Sequence, residues 1–80
     1  MANTMNHSPI KTKRDADGET LFRFRIEYLA DENCEPMKWG CWAYSFDHAL
    51  DLFAEDDEGY EPTRIAKVRE DNSTQVWQKV

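Results

Sequence analysis

The stretch ETLFRFRIEYLA, from Glu19 to Ala30, constrains the fold more than any other part of this chain. Phe22, Phe24, Ile26 and Tyr28 alternate with Arg23, Arg25 and Glu27. Successive side chains of a strand point to opposite faces, so this spacing makes one aromatic, apolar face and one charged face. The turn-forming run DENCEP follows. MKWGCWAY then predicts a second strand from Met37 to Tyr44. Two strands joined by so short a loop are expected as an antiparallel hairpin. On the second strand Trp39, Cys41 and Ala43 share one face, and Lys38, Gly40, Trp42 and Tyr44 share the other. With the Trp39 face turned to the core, Trp42 and Tyr44 lie beside Arg23 and Arg25, where Arg–aromatic contacts are natural. Each face carries an aromatic, so the alternation leaves open whether the second face is covered.

The period changes at Ser45. Phe46, Ala49, Leu50, Phe53 and Ala54 follow the 3.6-residue spacing of an amphipathic helix. Ser45 is its expected N-cap, because the hydroxyl can accept from an otherwise unpaired amide. Asp47 suits the positive end of the helix dipole, and Gly59 can take the left-handed conformation that ends the helix. Thr63 to Arg69 predicts a third strand, Asp71 and Asn72 a turn, and TQVWQKV a fourth strand. The order ββαββ implies an α+β domain: a four-stranded antiparallel sheet with one helix packed on one face, over residues 19–80. Such a sheet can leave its other face wet. Residues 1–18 lack hydrophobic periodicity, hold Pro9 and Gly18, and are expected to form a flexible tail.

Composition enters through charge. The chain has 16 acidic residues against 10 Lys and Arg, for a net charge of -6. Seven of the carboxylates (Asp47, Asp51, Glu55, Asp56, Asp57, Glu58 and Glu61) fall in one stretch with no Lys or Arg. That stretch carries the whole negative excess. Asp47, Asp51 and Glu55 are spaced i, i+4, i+8 along one edge of the helix. Like charges at that spacing destabilise a helix by about 0.2–0.5 kcal/mol per pair. Acids at the carboxyl end of a helix also oppose its dipole. Local stability alone would choose other residues there, which points to a binding role, although acidic residues also favour solubility.

The sequence offers little catalytic chemistry. Gly18, Gly40 and Gly59 are too far apart for a phosphate loop. Cys34, Cys41 and His48 are spaced by seven and lack the close pairs and fourth ligand of a zinc site. The pattern of a calcium loop is absent. No cofactor or metal is expected. Asp51 and Glu55 lie opposite the apolar stripe, where solvation opposes the sheltering that acid/base catalysis needs. A disulfide is not expected, since the hairpin sets Cys41 opposite Ile26 or its neighbours rather than opposite Cys34. The polar first eighteen residues and the absence of a long apolar run predict a cytoplasmic protein with reduced thiols and no membrane partner.

The expected function is therefore binding, not catalysis. In the leading reading the carboxylates from Asp47 to Glu61 dock on a basic surface of a protein that handles nucleic acid, standing in for phosphates. Small inhibitors from phages or mobile elements work in this manner as a class, an analogy of size and charge only. Direct nucleic-acid binding is opposed by the net charge. The alternative is an accessory or structural module that homodimerises or binds a partner. It would use the aromatic sheet face (Trp39 or Trp42, Tyr44, Trp77) or a strand edge.

Overall fold

A computed structural model describes residues 8–31, 33–57 and 59–80. The elements are β1 (Thr12–Arg14), β2 (Thr20–Leu29), β3 (Met37–Ala43), α1 (Phe46–Asp56), β4 (Glu61–Lys67) and β5 (Gln78–Lys79). They form a small α+β domain with an antiparallel sheet and one helix on it, as the hydrophobic periods predict. The structure adds one strand. Thr12–Arg14, expected within the flexible tail of residues 1–18, pairs with β2. Residues 1–7 of that expected tail lie outside the described residues.

Strand β2 organises the sheet. One edge pairs with β3, from Phe22 opposite Ala43 to Tyr28 opposite Met37. The other edge is shared. Thr20–Phe22 pair with β1, and Phe24–Leu29 pair with β4. The hand-over falls at Arg23, whose amide donates to the Lys11 carbonyl while its own carbonyl accepts from the Val68 amide. Thr12, Lys13 and Arg14 show no hydrophobic alternation that would mark a strand; β1 pairs where β4 leaves the backbone edge of β2 open. The turn between β1 and β2 is set by Asp15, whose side chain accepts from the amides of Asp17 and Glu19, and by Gly18 at φ +86°. Only glycine adopts that angle without cost.

The apolar face of β2 meets the helix. Phe24, Ile26, Tyr28, Cys41, Ala43, Ala49, Phe53 and Ile65 form the buried cluster, with Trp39, Phe46, Leu50 and Leu52 packed against it. Phe24, Phe53 and Ile26 are the largest fully buried side chains. Burying each is worth about 1.5–3 kcal/mol relative to exposure. Rings meet edge-on or tilted, Phe24 with Phe46 at 5.1 Å and Trp39 with Phe53 at 5.3 Å. The Trp39 face of β3 is thus the core face. The helix begins as expected: Ser45 Oγ accepts from the His48 amide at 3.1 Å. Its buried stripe differs in one place, since Ala54 is exposed and Leu52 is half-buried beside β3.

The end of the chain departs most from expectation. TQVWQKV predicts a full strand, but only Gln78–Lys79 pair with β4, and Thr74 makes a single bridge to Val68. Val76 is 82% exposed. The turn before it is as predicted, with Asn72 at φ 72° and Asp71 accepting from Ser73.

Candidate functional site

The carboxylates divide by position. Asp47, Asp51 and Glu55 are exposed on α1, with Glu55 bordering the groove beside β3. Asp56 turns toward the sheet edge, where it accepts the indole proton of Trp39 at 2.7 Å. Asp57 is half-buried and caps the helix, its amide donating to the Phe53 carbonyl. Glu61 is exposed at the start of β4, opposite Leu29. Glu58 lies outside the described residues. The helix thus gathers Asp47, Asp51, Glu55 and Asp56 on its outer and edge-facing sides, while Glu61 stands on a different element. Among the described residues, salt bridges join Glu27 to Arg64 and Lys38, and none involves a helix carboxylate. The negative end of the helix is felt nearby: burial first, then the charges of Asp57 and Asp56 and the neighbouring Tyr60, push the Tyr28 hydroxyl above its ordinary range.

The face of the sheet opposite the helix has the reverse sign. By register it carries Arg23, Arg25 and Glu27 from β2, Lys38 and Trp42 from β3, Lys13 from β1 and Arg64 from β4. Glu27 on this face is 7% exposed and is held by Arg64 through two bonds of 2.7 and 3.0 Å, and Glu61, opposite Leu29, stands at the far end of the same face. Trp42 meets two cations, with Lys13 Nζ 4.8 Å and the Arg23 guanidinium 5.5 Å from its ring centre. Trp77 lies under Arg64 at 4.3 Å. Gly40 makes room for this packing, because a Cβ there would stand 2.9 Å from Arg23 Nη2. The Arg–aromatic contact expected for Trp42 is present. Tyr44 makes other contacts, stacking on His48 at 5.1 Å and donating its hydroxyl to Asp15. That bond holds the Asp15 carboxyl below its ordinary range and the Tyr44 hydroxyl above its own.

The remaining expectations about chemistry find these places. Cys34 is exposed and Cys41 is buried, both as free thiols. Cys41 stands opposite Phe24, two residues from the predicted Ile26. Among the described residues no three His, Cys, Asp or Glu side chains are grouped to hold a metal ion. No helix among them is long and apolar enough to cross a membrane.

Sequence reasoning overlooked a groove between helix and sheet edge. It is lined by Trp39, Gly40, Cys41, Leu52, Glu55 and Asp56. The signal was present in the spacing of Leu52 to Glu55 and Asp56, which sets an apolar residue one turn below two acids. Comparison with protein-family models, with curated proteins and with solved structures finds no match.

Proposed function

We propose that this chain is a non-enzymatic protein-binding module that presents the outer carboxylates of its helix to a basic surface, of the kind found on proteins that handle nucleic acid. One observation carries the reading. Asp47, Asp51 and Glu55 are exposed, repel one another along the helix, and meet no cation among the described residues. Asp47 favours the helix start, but Asp51 and Glu55 form no salt bridge among the described residues, whereas a basic partner would supply one. Such a row presents negative charge on a rigid frame, and long-range attraction would speed encounter with a cationic groove. The inhibitor role belongs to this proposal as its most specific form: a groove occupied by carboxylates is closed to phosphates.

The test is a pull-down from lysate with wild type beside the Asp51→Lys, Glu55→Lys double variant, read by mass spectrometry. The expected result is a basic, nucleic-acid-handling protein retained by wild type, lost from the variant and displaced by added duplex DNA. The same proteins retained by both forms would remove the helix row as the binding surface.

A further inference from the structure

The outer edge of β3 has no partner strand among the described residues. Among the described residues β3 pairs only with β2, so its far edge presents unpaired amides and carbonyls from Met37 to Ala43. Its register with β2 runs through all seven residues without a shift, and it holds no proline. Short length, bulges, prolines and charged side chains are the usual guards of an edge; this one runs seven residues in regular register and carries a single charge, Lys38. A strand added there would take its backbone bonds from β3 and its side-chain pockets from alternate positions.

The surroundings define the occupant. On the helix side, the groove beside the edge has an apolar floor of Trp39, Cys41 and Leu52 and an acidic wall of Glu55 and Asp56. The floor is fixed, because Trp39 is held by Asp56 and packs edge-on against Phe53. On the other side the same edge shows Lys38 and Trp42, the latter flanked by Lys13 and Arg23. A second copy of this chain fits badly. Joining two β3 edges antiparallel about a two-fold axis sets both helices on one face of the enlarged sheet, with Glu55 and Asp56 of each turned toward the seam. Like charges so placed act against self-pairing. A strand with cations on its helix-facing side meets attraction instead.

We propose that the outer edge of β3 takes an extended segment of a partner protein as an added strand, with Lys or Arg directed at Glu55 and Asp56 around one apolar residue over Trp39 and Leu52. The alternate positions of that segment face Lys38 and Trp42 and are polar or acidic. This rests on the reading above and names the class of segment that the acidic side would recognise.

The test uses the 15N-labelled full chain and a synthetic peptide of seven residues, the length of β3, reading Thr-Lys-Thr-Val-Thr-Lys-Thr. The expected result is amide shifts confined to β3 and to Leu52, Glu55 and Asp56, with slowed hydrogen exchange along β3. Replacing both lysines by glutamate, or N-methylating the peptide backbone, is expected to weaken binding about tenfold or more. Equal binding of the N-methylated peptide overturns strand addition while leaving charge attraction to the helix intact. Concentration-dependent shifts in β3 without peptide, with a doubled mass by sedimentation, give the edge to a second copy and overturn the proposal. Absence of peptide binding, beside a lysate partner lost from the Asp51→Lys, Glu55→Lys variant, overturns the edge and leaves the helix row standing.

Discussion

Glu27 is 7% exposed, yet it sits in the charged half of the β2 alternation, where sequence places it in water. Its burial comes from Arg64, distant in sequence and opposite it in the sheet, and from Lys38 at 4.0 Å. No local pattern contains that information. The hydrogen bond from Arg64 holds the Glu27 carboxyl below its ordinary value of 4.5; burial opposes this, and the charges of Arg64 and Lys38 reinforce it. A folded-state pKa below the unfolded one gives stability that is present above the unfolded value and lost as pH falls through the folded one. Melting temperature is therefore expected to fall on acidification below pH 4.5, and Glu27→Gln to flatten that part of the profile. An unchanged profile in the variant would show that the pair adds nothing. Cys41 gives a second test at this scale. Burial pushes its thiol up to about 11 against the lowering influence of Arg23. A thiol reagent at neutral pH should label Cys34 quickly in the native protein and Cys41 far more slowly until the protein is denatured. Fast native labelling of both would contradict the packing of β3 on the helix.

Elements with a strong period were legible from the chain. The alternation of Phe22 to Tyr28 placed β2, and Ser45 with the Phe46–Phe53 stripe placed the helix. The weak elements were not. The residues of β1 are Thr12, Lys13 and Arg14, all exposed, so their strand is held by backbone bonds that leave no hydrophobic trace. At the other end, Val76 and Trp77 look like strand residues but Trp77 is drawn under Arg64, and regular pairing resumes only at Gln78. The helix itself invites a paired measurement. Ser45→Ala removes the cap and should cost about 1 kcal/mol. Asp51→Lys replaces two repulsions, with Asp47 and with Glu55, by attractions at the same spacing, and should raise stability by about 0.2–0.5 kcal/mol per pair. Thermal melting checks both. A destabilised Asp51→Lys protein would mean that Asp51 has a structural partner, and the case for a binding role would lose its basis.

Across the whole molecule, charge is sorted by side: carboxylates on the outside of the helix, cations on the opposite face of the sheet. The acidic side was legible because its residues are contiguous. The basic side was legible only in fragments, Arg23, Arg25 and Lys38, because it is assembled from four strands and completed by Lys13 and Arg64. The candidate site divides in the same manner, since the helix row lies in one segment whereas the groove at Trp39 exists only once β3 and the helix meet. Attraction between exposed charges is screened over about 10 Å at 0.1 M salt and about 3 Å at 1 M. Capture of a basic partner by the helix row should therefore fall several-fold over that range, measured by the amount retained in the pull-down. Capture indifferent to salt would assign the contact to an apolar surface.

The sharing of β2 among three neighbours also imposes an order in time. β1 and β3 each join it through a short connection, residues 15–19 and residues 30–36, while β4 must return after the helix. Both hairpins close quickly, but only β3 brings core residues to β2, with Cys41 and Ala43 buried and Trp39 packed against them, whereas β1 is exposed throughout; the β2–β3 hairpin is therefore the expected nucleus and β1 the last strand held in place. In a denaturant chevron, Ile26→Val should slow refolding, whereas a substitution at Thr12 should leave refolding unchanged and quicken unfolding. The strand that escapes notice in the sequence would then be the first to leave the sheet and the last to rejoin it.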